Sequence, residues 1–211
     1  MKGLLITLEG PDGAGKSSQI YKLANFFKEQ GYPVVTTREP GGTFLGTAIR
    51  KLLLDPEHDK MTEKAEVLLY AADRAQHVQE IILPALARGE VVVCDRYIDS
   101  TLAYQGYGRK LDIDFLERVN SIATGGLMPD LTIILDVPAQ VGLARIITGR
   151  EKGAGIDRIE GQALEFHQSV RAGYLAIAAQ QPNRCRVIDA TQSFELVGQE
   201  VVGAVQKYLS R

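Results

Sequence analysis

The chain has 211 residues, of which 45% are hydrophobic and 24% are charged, and its formal net charge is −2 at pH 7. These values are typical of one globular domain and exclude a disordered or fibrous chain. The near balance of charge gives no support for a nucleic-acid coat or a membrane-surface binder. The two cysteines, Cys94 and Cys185, lie far apart, so we expect no disulfide framework. The apolar runs are too short to span a membrane and the N-terminus lacks a secretory cleavage site, so we expect a cytoplasmic protein.

Short runs that are apolar at both odd and even positions predict strands buried on both faces. These strands are expected at Leu4–Leu8, Val34–Thr37, Val91–Cys94, Leu131–Asp136 and Arg186–Ile188. Helices are predicted over residues 16–30, 45–54, 62–87 (kinked near Pro84), 112–124, 139–149, 158–181 and 194–209. The alternation predicts an α/β fold, a single doubly wound domain over residues 1–211. Its five-stranded parallel sheet would carry helices on both faces and a ligand at the carboxyl ends of the strands.

The first predicted strand leads directly into a phosphate-binding motif of the form G-x-x-x-x-G-K-[ST], and a predicted helix follows it. The motif consists of Gly10, Pro11, Asp12, Gly13, Ala14, Gly15, Lys16 and Ser17. Its glycines let backbone N–H groups surround a phosphate, and the helix adds its positive N-terminal end. We expect Lys16 to reach the β and γ phosphates and the Ser17 hydroxyl to ligate Mg²⁺. The motif therefore predicts binding of a nucleoside triphosphate without defining the reaction.

The motif has two main interpretations, which belong to different classes of protein: a switch GTPase and a small-molecule phosphotransferase. A switch GTPase would read guanine with Asn-Lys-x-Asp after a late strand, and the sequence has no such tetrapeptide. A motor ATPase or transporter subunit usually needs more chain and partner domains. A phosphotransferase needs a second anion site, for which the planar guanidinium is well suited. Arg38 and Arg96 follow two predicted strands and fit this site, whereas Arg74 either joins them or forms an ion pair on a helix surface.

Four segments together resemble the bacterial thymidylate kinase family. They are residues 9–17, residues 38–43 (Arg-Glu-Pro-Gly-Gly-Thr), residues 95–105 (Asp-Arg-Tyr-Ile-Asp-Ser-Thr-Leu-Ala-Tyr-Gln) and residues 157–160 (Asp-Arg-Ile-Glu). Their order and spacing resemble the family over essentially the whole chain. The resemblance implies an enzyme of the P-loop kinase fold that transfers the γ-phosphoryl group of ATP to dTMP, with Mg²⁺, giving dTDP and ADP for dTTP biosynthesis. A kinase for another nucleoside monophosphate is the main alternative.

The resemblance also implies which side chains contact the phosphates. It places Arg38, Arg74 and Arg96 around the acceptor phosphate. Asp12 resembles the loop carboxylate that contacts the 3′-hydroxyl of the sugar or the magnesium network. Asp95 is a candidate ligand of a water on Mg²⁺.

The nucleoside of the acceptor is expected to bind a second group of residues. The resemblance implies that Tyr70 stacks on thymine, and an aromatic face suits a flat pyrimidine. Thr101 and Gln105 resemble the groups that read the edge of the base, and Ser100 is included among the substrate contacts. Tyr104 resembles the residue packed beneath the sugar, where it would exclude a 2′-hydroxyl. A helix N-cap is the alternative role for Ser100 or Thr101.

Residues 148–157 combine three glycines with two cations, which predicts a mobile basic lid. The family includes members with an arginine in the phosphate loop and members with an arginine in the lid. Because Ala14 occupies the loop position, Arg150 is expected to neutralise charge in the transition state, with Lys152 as the alternative. The expected catalytic set is therefore Lys16, Arg96, Arg150 and Asp12. Together with the resemblance, the apolar stripe of residues 62–87 predicts a homodimer. The expected small-molecule partners are dTMP and ATP. We expect the protein to bind neither nucleic acid nor a membrane.

Overall fold

A computed structural model describes residues 3–149 and 155–210, and a parallel five-stranded sheet forms its centre. The strands are β1 (Leu4–Glu9), β2 (Val34–Arg38), β3 (Val91–Asp95), β4 (Leu131–Asp136) and β5 (Cys185–Asp189). The order across the sheet is β2-β3-β1-β4-β5, and every neighbouring pair is parallel. The predicted strands and the doubly wound α/β class are confirmed. The chain crosses over beside β1, so the carboxyl ends of β1 and β3 meet at the centre of the sheet, where such folds bind ligands.

The helices pack on both faces of the sheet. They are α1 (Lys16–Glu29), α2 (Phe44–Leu54), α3 (Glu63–His77), α4 (Leu83–Ala87), α5 (Ile98–Thr101), α6 (Ile113–Thr124), α7 (Ala139–Gly149), α8 (Leu164–Gln180) and α9 (Phe194–Leu209). A short 3₁₀ turn covers Pro56–His58, and wider π-helical turns cover Val78–Ile82 and Leu102–Gly108. The two π-helical turns directly continue α3 and α5.

Two helix predictions need correction, and one helix was missed. The helix expected over 62–87 widens at Val78–Ile82 instead of kinking near Pro84, which lies in the first turn of α4, where a missing N–H costs little. The helix expected from residue 158 begins at Leu164, because residues 157–161 form a turn in which the Asp157 carboxylate accepts two backbone N–H groups. No helix was predicted over 98–108, where small, polar and aromatic residues obscure the helical period.

Alternate residues of β1 enter two different cores. Leu8 is fully buried and packs in the same cluster as Phe27 of α1 and Val201 of α9. Leu5 points the other way and packs with Ile82. This two-sided burial is what the continuous apolar runs predict. Among the described residues, no helix combines the length and the apolar character needed to cross a membrane.

Candidate active site

The phosphate loop packs directly on neighbouring backbone at the carboxyl end of the sheet. Gly13 has a φ of 76°, and a Cβ on this residue would lie 2.0 Å from the carbonyl oxygen of Gly142. Gly10 has a φ of 133°, and its Cβ would lie 2.3 Å from the carbonyl oxygen of Leu135. Gly15 precedes α1, and no described side chain caps this helix. The loop therefore presents backbone N–H groups and a positive helix end to an anion.

Lys16 lies inside the loop that it follows. Its Nζ donates to the carbonyl oxygens of Gly10 and Pro11 at 3.0 and 2.9 Å, and the residue is buried. Burial, followed by the nearby Arg96 cation, lowers the pKa of Lys16 to about 8. An incoming anion would favour the charged form, so phosphate binding and protonation of this amine support each other.

Ser17 and Asp95 form a pair of oxygen donors beside the loop. The Ser17 hydroxyl donates to Asp95 Oδ2 at 2.9 Å. The other carboxylate oxygen of Asp95 is buried and has no hydrogen-bond partner in the described part of the chain. Hydroxyl and carboxylate oxygens suit Mg²⁺, which usually keeps several waters and takes its remaining ligands from phosphates. The pair therefore fits a magnesium ion that arrives with a nucleotide.

Arg96 stands at the centre of the site, directly after β3. Its φ of 71° lies in the left-handed region, which is rare for a residue with a side chain and is common at functional sites. Its guanidinium contacts Asp12 Oδ1 at 2.5 Å and the hydroxyls of Tyr104 and Tyr174 at 3.1 Å each. Asp12 also accepts a hydrogen bond of 2.7 Å from Tyr104. Burial opposes ionisation of Asp12, but Arg96 and Lys16 outweigh it and hold the pKa below its usual range.

Glu9 forms a second layer behind Arg96. The carboxylate is fully buried and accepts hydrogen bonds from the Ser100 hydroxyl at 2.6 Å, the Tyr97 amide at 2.7 Å and the Tyr174 hydroxyl at 3.0 Å. The same two hydroxyl oxygens accept from Arg96 Nη1 at 3.3 and 3.1 Å. Burial, followed by the nearby Asp99 carboxylate, raises the pKa of Glu9 to about 7.

Two clefts meet at Arg96. The first is lined by the phosphate loop and by the cations Lys16, Arg38 and Arg96. The second is more apolar, and its lining includes Tyr70, Arg74, Ser100, Thr101, Tyr104 and Gln105. Asp12 and Arg96 border both clefts. The tertiary structure therefore brings the residues predicted for the two substrates to adjoining sites. Arg38, predicted for the acceptor phosphate, lines the first cleft rather than the second.

Arg38 and Arg74 differ in their freedom to bind a ligand. The Arg38 side chain is half-exposed and lies 3.7 Å from Asp95. Arg74 is buried and donates to Glu39 Oε2 at 2.8 Å, Thr101 Oγ1 at 2.8 Å and two further protein oxygens. Most of its five N–H groups are thus already engaged within the protein. Ser100 and Thr101 lie inside α5 rather than at its N-cap, so the capping alternative is wrong.

Several residues of the clefts were missed in the sequence. Arg50 of α2 borders both clefts and donates to the carbonyl oxygen of Pro40 at 3.0 Å. Burial, followed by the Arg38 cation, lowers the pKa of Arg50. Glu39 also borders both clefts, and Asp157 borders the second. Arg50 was missed because a lone arginine within an amphipathic helix resembles a surface charge. Glu39 and Asp157 lie within the quoted family segments, and only that resemblance could have indicated them.

Arg150 and Lys152, the two cations predicted for the lid, lie outside the described residues. The parts of the segment that the structure describes are residues 148–149 and 155–157. Asp157 lies at the edge of the second cleft, so the segment ends beside the predicted acceptor site.

A phosphate loop on a parallel sheet, with a second cleft joined to it through a shared guanidinium, defines a P-loop kinase. Comparisons with known proteins narrow this class. The model of the thymidylate kinase family matches residues 8–201. The thymidylate kinase of Pelotomaculum thermopropionicum is 50% identical over 209 residues, which cover 99% of this chain and 95% of the relative. The thymidylate kinase of Solidesulfovibrio magneticus is also 50% identical, over 98% of this chain and 100% of the relative.

A solved structure agrees with these relatives. The crystal structure of thymidylate kinase from Ehrlichia chaffeensis superposes with a TM-score of 0.79 and is 34% identical, covering 97% of this chain and 100% of that chain. The chain belongs to the thymidylate kinase family. The resemblance inferred from the four sequence segments is confirmed, and so are the kinase class and the P-loop kinase fold.

Glu9 gives a prediction for the pH dependence of stability. Its pKa is raised in the folded state, so between about pH 4.5 and 7 the folded protein holds a proton that the unfolded chain releases. The contribution of Glu9 to the free energy of unfolding therefore falls as pH rises through this range, by roughly 2–3 kcal/mol. Urea unfolding of the wild type and Glu9→Gln at pH 5, 6, 7 and 8 should show their difference shrinking or reversing with pH. The exposed Glu29→Gln controls for loss of one charge, and a difference independent of pH would contradict the prediction.

Proposed function

We propose that the chain catalyses the reaction of its family, transfer of the γ-phosphoryl group of ATP to dTMP, which gives ADP and dTDP. The observation that carries this proposal is the meeting of the two clefts at Asp12 and Arg96. A donor on the phosphate loop and an acceptor in the second cleft would bring their phosphates together beside one guanidinium. The acceptor is already a phosphate anion, so catalysis needs positioning and charge neutralisation more than a general base.

The donor half of the mechanism uses the loop, residues 10–17. Its backbone N–H groups bind the β phosphate, and Lys16 exchanges its carbonyl partners for phosphate oxygens. Ser17 and Asp95 would hold Mg²⁺, directly or through water, which is consistent with their 2.9 Å contact and with the Asp95 oxygen that lacks a partner among the described residues. The ion would supply charge neutralisation to the donor phosphates.

The acceptor half uses the second cleft. We propose that Arg96 binds the acceptor phosphate at the junction of the two clefts and that Arg38 approaches the same phosphate from the first cleft. Arg74 lines the second cleft and would bind with the N–H groups that the protein leaves available. Tyr70 stacks on the base, and Thr101 and Gln105 read its edge. Stacking on an aromatic ring is worth roughly 1–3 kcal/mol per base.

Tyr104 restricts the sugar. Its hydroxyl is held by Asp12 at 2.7 Å and by Arg96 at 3.1 Å, so the ring has a defined position in the second cleft. A ring held this way would clash with a 2′-hydroxyl, which favours deoxynucleotides. The Ser100 hydroxyl helps to position Arg96, because it accepts a hydrogen bond from the guanidinium while it donates one to Glu9.

The lid belongs to the proposal on the basis of the sequence. Arg150, or else Lys152, would follow the moving phosphoryl group, while residues 148–157 exclude water that would otherwise hydrolyse ATP. We propose that the lid and both clefts belong to one domain, residues 1–211, and that the enzyme works in the cytoplasm.

A homodimer is supported by apolar side chains that the chain leaves uncovered. Much of the predicted stripe packs inside the chain, since Val67, Val78 and Ile82 are fully buried. Leu68 is nevertheless 60% exposed on α3. The neighbouring α2 packs against α3 and leaves Phe44, Leu45 and Leu52 exposed. Exposed apolar residues on two adjoining helices are typical of an interface between subunits.

Light scattering tests the dimer. The wild type at micromolar concentration should have the mass of two chains, and Leu68→Glu should shift it to one chain because a carboxylate would be buried in the interface. Leu209→Glu, which changes an exposed leucine on α9, should leave the mass unchanged. A wild-type monomer, or a dimer unaffected by Leu68→Glu, would contradict this assembly.

A panel of nucleoside monophosphates tests the reaction. With ATP and Mg²⁺, dTMP should be the preferred acceptor by a wide margin when release of ADP is measured. Preference for another monophosphate would identify a different nucleotide kinase. A panel with no turnover and intact GTP binding would favour a switch GTPase.

Arg96→Ala tests the acceptor site separately from the donor site. Loss of a charge-assisted contact to phosphate should weaken dTMP binding roughly 10- to 100-fold, while ATP binding persists. Isothermal calorimetry measures both affinities, and circular dichroism checks that the left-handed position tolerates alanine. Arg88→Ala removes an exposed arginine and should change neither affinity. Unchanged dTMP affinity in Arg96→Ala would remove this residue from the acceptor site.

A further inference from the structure

Gln105 borders the acceptor cleft, and its side-chain amide has a fixed partner. The residue lies in the π-helical turn Leu102–Gly108 and is buried. Its Nε2 donates to Oε1 of Glu66 at 2.8 Å, across from α3. Among the hydrogen bonds of the described residues, none uses the Oε1 acceptor of Gln105. One end of the amide is therefore held by Glu66, and the other end has no hydrogen-bond partner among the described residues, on a side chain that lines the cleft.

Glu66 is an ionised carboxylate in the interior. It is 1% exposed, and its Oε2 lies 2.7 Å from Arg158 Nη2 and 3.2 Å from Arg109 Nη2. Burial opposes ionisation of Glu66, but the hydrogen bond from Gln105 and the charges of Arg109 and Arg158 keep its pKa below the usual range. An ionised carboxylate can only accept hydrogen bonds.

The charge of Glu66 decides which way the amide of Gln105 faces. A carboxamide has an NH₂ donor at one end and a carbonyl acceptor at the other. Turning the amide would place its carbonyl oxygen against the carboxylate and leave two acceptors facing each other in a buried site. Only the orientation with NH₂ on Glu66 and oxygen toward the cleft satisfies both groups.

We propose that Glu66 is a positioning residue that holds Gln105 as a hydrogen-bond acceptor and so selects a pyrimidine with an N–H at its ring edge. Thymine carries such a donor at N3, whereas the N3 of cytosine is an acceptor and would meet the carbonyl oxygen of Gln105 with no proton between them. The inference deepens the proposed function and rests on dTMP binding in this cleft.

The surrounding structure keeps Glu66 in place. Arg158 is buried, and its Nε donates to the carbonyl oxygen of Leu53 at 2.8 Å. Its backbone N–H donates to the carbonyl oxygen of Leu54 at 3.0 Å. Arg158 therefore links the end of α2 to the Glu66 carboxylate on α3. Because Arg158 cannot move without breaking these bonds, Glu66 offers Gln105 a rigid partner.

Glu66→Gln tests the proposal by the ratio of kcat/KM for dTMP to that for dCMP. With an amide at position 66, either orientation of Gln105 can be satisfied, and we expect the ratio to fall about tenfold or more. A purely structural role would lower kcat/KM for both acceptors by the same factor and leave the ratio unchanged. The ratio therefore reports the orientation of the amide rather than general damage.

Two further variants complete the experiment. Glu66→Asp keeps a negative charge between the two arginines but withdraws the carboxylate from Gln105, so it should also lower the ratio, even if Glu66→Gln fails to fold. Arg109→Lys keeps a cation beside Glu66, and so favours its ionised form, and it leaves the contact between Glu66 and Gln105, so its ratio should match the wild type. A ratio retained in the folded Glu66 variants would overturn the role of Glu66. A wild type that does not prefer dTMP would contradict the proposed function instead.

Discussion

Arg96 joins the two clefts, and the rest of the site is arranged around its guanidinium. The residue adopts a left-handed backbone conformation that costs an arginine about 1–3 kcal/mol. This conformation directs the side chain back between the phosphate loop and α5. Five oxygen acceptors then hold the guanidinium, of which the closest is Asp12. A cation fixed in advance at the junction of the two clefts would need little reorganisation when a phosphate binds there.

Buried carboxylates supply the order behind these contacts. Glu9 accepts the protons of Ser100 and Tyr174, so their oxygens are left to accept from Arg96. Glu66 takes the NH₂ of Gln105 and leaves its oxygen for the second cleft. At Glu66 an interior charge sets the direction of a neutral amide, which could otherwise donate or accept.

The first cleft concentrates charges of both signs. The cations Lys16, Arg38, Arg50 and Arg96 line it, and so do the acids Asp12, Glu39, Asp95 and Glu160. The net charge of −2 therefore says little about the local field at this site. Low-dielectric walls strengthen the interaction of each of these charges with a phosphate.

Local sequence determined the strands, the α/β class and the phosphate loop, because strand patterning and a motif of contiguous residues depend on short-range chemistry. Tertiary structure decided which side chains from distant segments come into contact. Gln105 and Glu66 are 39 residues apart, and Glu9 and Tyr174 are 165 apart, so no spacing in the sequence announces either contact. Arg50 and the helical turn after Thr101 escaped prediction for the same reason. Their roles depend on packing against distant elements, and an arginine that lines a cleft has the same local pattern as one that faces water.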